Sequence, residues 1–222
     1  EYGCDAVIAT GNEAAAHGEA VTTFCLVPSM SAKLNIPVIA AGGVGDGRGL
    51  AAALALGAEG VAMGTRIMTT KESPLHQNYK QLSLEKSVYD TLYSKRFDGL
   101  WCRVLDTDGA RKAIKAGLNP IQMLKAIPNS RAIARQMNMP YLKLFIGVLG
   151  SGWENARQLA FMANAFKLIR EATEDGDIKR GVLPVGQVTG LLEDIPTVEE
   201  LFERVVREAE EAAARLSSMM QG

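Results

Sequence analysis

Between Pro37 and Thr65 the chain sets two short apolar runs, each stopping at glycine, on either side of one helix-forming segment. Val38 to Ala41 suits a strand buried on both faces. Asp46 is an N-cap for a helix through Leu56, and Gly57 supplies its left-handed stop. Val61 to Met63 reads as a second buried strand ending at Gly64-Thr65. A strand, glycine turn, helix, strand and second glycine turn in so few residues is a parallel βαβ unit. Glycine turns at the carboxyl ends of neighbouring parallel strands aim backbone N–H groups into one concavity, with no Cβ in the way. Such a concavity holds a phosphate, and in eight-stranded barrels that site follows the last two strands. The plainer alternative is a pair of tight βα turns with no ligand.

Upstream, Glu1-Tyr2-Gly3 reads as a helix end, and Asp5 to Thr10 as a third parallel strand ending at Gly11. The loop Asn12 to Thr23 carries Glu13 and His17, and Pro28 fits the first turn of a helix through Leu34. Downstream, Arg66 to Tyr93 reads as polar and mainly helical, and Leu100 to Leu105 as a short strand. Ala110 to Ala172 reads as helical, with breaks near Pro128, Pro140 and Gly147 to Gly152. Leu159, Met162, Ala163, Phe166 and Ile169 fall at helical spacing and predict a core-facing stripe. Thr197-Val198-Glu199-Glu200 is a capping box that opens a last helix, with Leu201, Val205, Ala209 and Ala212 on one face.

With 222 residues, 47% hydrophobic and 22% charged, and a net charge of −1, the chain reads as a globular protein without the basic footprint of nucleic-acid binders. No apolar run is long enough to span a bilayer, and no signal-peptide pattern opens the sequence, which begins at Glu1. Cys4, Cys25 and Cys102 form no metal or redox motif, which suits free thiols in a reducing cytoplasm.

Gly11-Asn12-Glu13 leading to His17, then Pro37 to Gly43, Met63-Gly64-Thr65-Arg66, Phe97-Asp98-Gly99 and Gly186 to Leu191, resembles the nitronate monooxygenase family, formerly 2-nitropropane dioxygenases. The flavin-dependent enoyl-acyl-carrier-protein reductases are close relatives. The resemblance implies an FMN-binding (β/α)₈ TIM barrel with a smaller helical domain. The expected fold class is therefore α/β: the last three barrel strands within residues 1–95, a helical domain over 96–180, and a return loop with C-terminal helix over 181–222. The match begins at what would be the sixth barrel strand. About five strand–helix units are then expected from a missing N-terminal half, a partner chain or a second copy.

By the same resemblance, Gly42 and Gly43 with Met63, Gly64 and Thr65 hold the FMN phosphate, and Gly11 lies near the flavin. His17 matches the histidine of the family's Gly-Gly-His loop, with Ala15 and Ala16 in place of the glycines. It is the candidate base, since an imidazole titrates near neutral pH; a loop histidine bonded to its own turn is the plainer reading. Glu13 is a candidate to orient it, and equally a solvated loop acid. Thr22 and Thr23 read as helix caps, with donation to a substrate or flavin oxygen as the alternative, His76 reads as a surface residue, and Gln187 as a candidate substrate contact.

The expected activity is FMN-dependent oxidation of alkyl nitronates with O₂. The alternative, suggested by Lys71-Glu72-Ser73 with His76 and Tyr79, is an enoyl-thioester reductase drawing on NAD(P)H. A reading of another class is a non-catalytic fragment or assembly subunit, which flavin absorbance separates from the enzyme.

Overall fold

The computed structural model describes residues 3–18, 20–136, 138, 140–150 and 152–221; the expected helix end at Glu1-Tyr2 lies outside them. β1 (Val7–Thr10), β2 (Val38–Ala41) and β3 (Gly60–Ala62) form one parallel sheet in the order β1-β2-β3. Thr10 pairs with Ala41, and Ala41 with Ala62, so all three strands end at one level. That register brings the turns at Gly11, Gly42 and Met63 side by side, because neighbouring strands lie about 4.8 Å apart.

α1 (Thr23–Ser31) and α2 (Gly47–Ala55) are the crossovers. They bury Val27 and Ala53 against Ala9, Val38 and Ala40. Asp46 caps α2 as expected, its Oδ1 accepting from Gly49 N at 2.9 Å, and Gly57 takes φ +95°. α1 departs from expectation, because it begins five residues before Pro28 and holds the proline inside. Glu13 supplies the reason: its carboxylate accepts from Thr23 N at 2.9 Å and fixes the helix start there. Pro28 has no N–H to give the Phe24 carbonyl four residues back, and Phe24 itself is exposed.

α3 (Gly64–Met68) and α4 (Gln77–Leu84) lead to an antiparallel hairpin of β4 (Thr91–Ser94) and β5 (Cys102–Leu105). β5 is the expected strand; β4 falls where a polar helical segment was expected. α5 (Asp108–Ala116), α6 (Pro120–Gln136), α7 (Tyr141–Gly150) and α8 (Trp153–Thr173) follow. α6 runs straight past Pro128 rather than breaking. α8 forms, but its expected stripe is only partly inside. Ala163, Ala165 and Ala172 are buried, whereas Leu159 and Phe166 are 42% and 54% exposed. Two of these alanines face the hairpin side: Ala165 packs with Phe97, Cys102 and Val104, and Ala172 with Tyr79 and Leu105, while α6 meets α8 through Asn164, which bonds Asn129 and the Gln122 carbonyl.

α9 (Val198–Gln221) lies along α2 and buries Leu201 and Val205 beside Val44 and Met63. Its capping box is complete: Thr197 N donates to Glu200 Oε2 at 2.7 Å, and Glu200 N to Thr197 Oγ1 at 3.1 Å. Among the described residues no helix is long and apolar enough to cross a membrane.

Asp194 ties α3 to α9. It accepts from buried Arg66 at 2.6 Å and from Arg204 at 2.8 Å. Burial works against its ionisation, yet Arg204 and Arg66 outweigh that and hold the carboxyl below its ordinary range. A depressed folded-state value gives stability that is present above the unfolded value, near about 3.9, and lost as pH falls through the folded one. Asp194→Asn is expected to cost about 1–2 kcal/mol at pH 7, because Arg66 keeps its position but loses its counter-charge. In urea melts that deficit should shrink as the pH is lowered through the acidic range. A deficit independent of pH would show that the carboxylate charge contributes nothing.

Candidate active site

His17 stands in the loop that leaves β1, and three contacts hold that loop to the β4–β5 hairpin. Ala16 and Arg103 exchange both backbone hydrogen bonds, at 3.0 and 2.8 Å. The buried Arg103 guanidinium donates to Asn12 O at 3.0 Å, Asn12 Oδ1 at 2.8 Å and Thr91 Oγ1 at 2.9 Å. Tyr93 packs on its face, and the Tyr93 hydroxyl donates to Gly18 O at 3.0 Å. Ala16 takes φ +51°, a conformation that favours glycine, so the Ala-for-Gly departure in this loop carries backbone strain.

So anchored, His17 Nε2 meets Asp98 Oδ2 at 2.6 Å. Asp98 lies in the turn after β4, its side chain 10% exposed against 46% for His17. Its other oxygen accepts from Leu100 N at 3.1 Å, and its carbonyl accepts from Gln158 Nε2 of α8 at 2.8 Å. An ionised carboxylate only accepts, so the neutral imidazole tautomer that bonds it holds its proton on Nε2 and its lone pair on Nδ1. No described residue bonds Nδ1. An imidazole held in this way, with one nitrogen open, can accept a proton. In the sequence Asp98 stands out as an Asp-Gly turn and within the family-like Phe97-Asp98-Gly99, but not as a partner of His17, which is 81 residues away.

Cys102 completes the cluster, with donor atoms of His17, Asp98 and Cys102 within 4.8 Å of one another. Burial pushes the Cys102 thiol far above its ordinary range, and Asp98 adds to the rise. Its sulfur therefore stays protonated and is a poor nucleophile.

Glu13 does not reach His17. Besides capping α1, it accepts from Thr23 Oγ1 at 3.0 Å, and that hydroxyl also lies 3.0 Å from Gly42 O. Thr22 occupies the N-cap position of α1 without a side-chain bond, and Glu13 does the capping. His76 caps α4, its Nδ1 accepting from Asn78 N at 3.1 Å. Gln187 N donates to Glu13 O at 2.9 Å, so the segment after Pro184 does fold back onto the strand ends.

The glycine turns fit a phosphate. Gly42 and Gly43 take φ +99° and +75°, and a Cβ on Gly42 would come within 3.0 Å of Ala14 N. Gly43 and Gly64 are exposed, and a Cβ on Gly64 would meet nothing within 4 Å. Among the described residues, no hydrogen bond engages the amides of Gly43 or Gly64. The side chains of Met63 and Thr65 point elsewhere. Met63 packs in the α9 core, and Thr65 Oγ1 accepts from Gly186 N at 2.9 Å. Those two residues have only backbone to offer a ligand. Gly11 is closed in by Thr23 and Glu13, leaving no room for a side chain.

Residues 1–208 match the family model described as nitronate monooxygenase. A 5-hydroxy-7a-methyl-1-oxo-octahydro-1H-indene-4-carboxyl-CoA dehydrogenase of Rhodococcus jostii is 38% identical over 94% of the chain and 60% of its own length. A probable nitronate monooxygenase of Staphylococcus saprophyticus is 40% identical over 50% of the chain and 34% of its own length. Among solved structures, FabK from Thermotoga maritima superposes with a TM-score of 0.75 at 36% identity, over 98% of this chain and 58% of that one. A nitroalkane oxidase from Streptomyces ansochromogenes, at 23% identity and a TM-score of 0.69, shares the fold over 96% of this chain and 54% of its own. The chain thus spans about three-fifths of the length of the curated relatives that match nearly all of it. With the family model matching residues 1–208, from the start of the sequence into the first half of α9, the chain belongs to the nitronate monooxygenase family.

Proposed function

We propose that the chain carries the phosphate cradle and the proton-handling site of an FMN-dependent oxidoreductase acting on coenzyme A thioesters. The observation that carries this reading is the 2.6 Å contact between His17 and Asp98, beside the strand ends that bear the glycine turns. FMN, when bound, supplies the two-electron redox step. The amides of Gly43 and Gly64 fit its phosphate, and His17 Nδ1 accepts the substrate proton while Asp98 holds the ring. The thioester follows from the relatives that match along nearly the whole chain, which are named as carboxyl-CoA dehydrogenases. NAD(P)H as donor belongs to the version in which an enoyl thioester is reduced.

Oxidation of alkyl nitronates by O₂ is the second reading, favoured by the match to probable nitronate monooxygenases over half of the chain. Three assays on flavin-loaded protein separate the versions: oxidation of a hydroxyacyl-CoA, NAD(P)H consumption with an enoyl-CoA, and nitrite release from a nitronate. Nitrite release alone would overturn the thioester reading. Protein that stays colourless with added FMN would favour the assembly subunit instead.

In this proposal the three strands are the last three of a TIM barrel. Helices α5 to α8 would form a lid, and α9 with the return loop would close the barrel's outer side. β1 has a free edge among the described strands, and Ile8 and Phe24 beside it are 60% and 71% exposed. Such an edge fits further strand–helix units from the rest of a longer chain, a partner or a second copy. Sedimentation that finds a stable, well-folded monomer would overturn that association.

Gly64→Ala tests the cradle. The added methyl enters open space, so stability should stay within about 0.5 kcal/mol of wild type. That same space is where the phosphate would sit, so FMN affinity should fall on the order of tenfold to a hundredfold, about 1.4 to 2.8 kcal/mol. Flavin titration followed by absorbance measures it, and unchanged affinity would remove Gly64 from the cofactor site.

A further inference from the structure

Helices α5, α6 and α8 enclose a cavity of about 530 Å³, within the range of small-ligand sites. Phe97 and Ala165, both buried, line it with Phe161 and Leu168, beside a polar strip in which Asn164 bonds Asn129 and the Gln122 carbonyl. Its rim is cationic. Lys112 comes from α5, Lys125 from α6, Lys167 from α8, and Lys179 and Arg180 from the loop after α8, against a single acid, Glu171. Glu171 is engaged by Lys167 at 3.7 Å, and Arg180 is turned to Asp177 at 2.6 Å. Lys112, Lys125 and Lys179 have no ion-pair partner among the described residues.

Three unpaired ammonium groups around one concave mouth, above an aromatic floor, call for a ligand with a planar apolar part and several negative charges. We propose that this cavity seats the nucleotide end of a coenzyme A thioester. The adenine would enter over Phe97 and Phe161, with the 3′-phosphate and pyrophosphate at the lysine rim. The assignment rests on the thioester reading of the His17 site. A carrier protein's phosphopantetheine brings only one phosphodiester and no ring for the floor. The cavity also adjoins the reacting end. Phe97 precedes Asp98, and it belongs to the same apolar cluster as Ala16, the neighbour of His17. A flexible pantetheine arm would connect the two.

The test is calorimetric titration of the flavin-loaded protein with coenzyme A and with adenosine 3′,5′-bisphosphate, which is the nucleotide end alone. Both should bind. The Lys112→Glu/Lys125→Glu double variant should weaken both by about tenfold or more, and added salt should weaken wild-type binding. Lys33→Glu, on exposed ground at the end of α1, should change nothing, and circular dichroism should show every variant folded. Coenzyme A binding that the double variant leaves unchanged would place the nucleotide elsewhere and overturn this assignment, while the thioester reading stands. Inorganic phosphate competing as well as the bisphosphate would also overturn it, since the rim would then recognise any anion. A wild-type protein that turns over a nitronate yet binds no coenzyme A would overturn the thioester reading itself, and this assignment with it.

Discussion

Replacing His17 by alanine is expected to lower kcat by about a hundredfold to ten-thousandfold, the range that a positioned acid–base group contributes. Flavin content and unfolding midpoint should stay near wild type, since the imidazole is 46% exposed and its only bond within the described residues is to Asp98. Asp98→Asn should do less, about tenfold to a hundredfold. Asparagine can still accept from Leu100 N and keep the turn, but it presents a neutral group to the ring. Steady-state rates on flavin-loaded variants, against whichever substrate the wild type turns over, decide both points. If His17→Ala turns over like wild type, the base lies elsewhere. If Asp98→Asn is the more damaging change, the carboxylate rather than the imidazole takes the proton.

What the sequence made legible was local. β2 occupies Val38 to Ala41 because an apolar run between proline and glycine has no better conformation when both faces are covered. The Asp46 cap and the Thr197–Glu200 box lie within one helical turn of their acceptors, so their hydrogen bonds are written in adjacent residues. Glu13, Asp98 and Phe166 were not legible in this way. Whether Glu13 faces the histidine or a helix end depends on how the loop after β1 is folded, and Arg103, far along the chain, folds it. Asp98 reaches His17 only because β4 and β5 pair, and β4 sits in a stretch whose composition looks helical. The α8 stripe failed for a related reason. Helical spacing gives a face, but the neighbours decide which face is inside, and in α8 the hairpin and α4 take Ala165 and Ala172 while Phe166 stays 54% exposed. The glycine turns lie between these cases. That no Cβ stands in the way was readable from residue type, while the positive φ of Gly42 and Gly43 and the freedom of the amides depend on which loops come to rest above them.

Gly11→Ala is expected to be the most destabilising single change near the site, at about 2–4 kcal/mol. An added Cβ would stand 2.1 Å from Thr23 Oγ1, 2.4 Å from Thr23 N and 2.7 Å from Glu13 Oε2. No rotamer relieves this, because one of the three contacts is backbone. The start of α1 must move, at the cost of overpacking and of the Glu13 cap, roughly 1–3 kcal/mol and about 1 kcal/mol respectively. Thr23 Oγ1 also meets Ala41 O at 3.2 Å and Gly42 O at 3.0 Å, so displacing it disturbs the first glycine turn as well. A lower urea midpoint with an unchanged m-value is the expected signature, together with weakened FMN binding. This pairing separates Gly11 from Gly64, whose alanine variant should lose flavin while keeping its fold. If Gly11→Ala binds FMN normally despite a lower midpoint, Gly11 serves only to seat α1, and the flavin does not depend on the position of that helix.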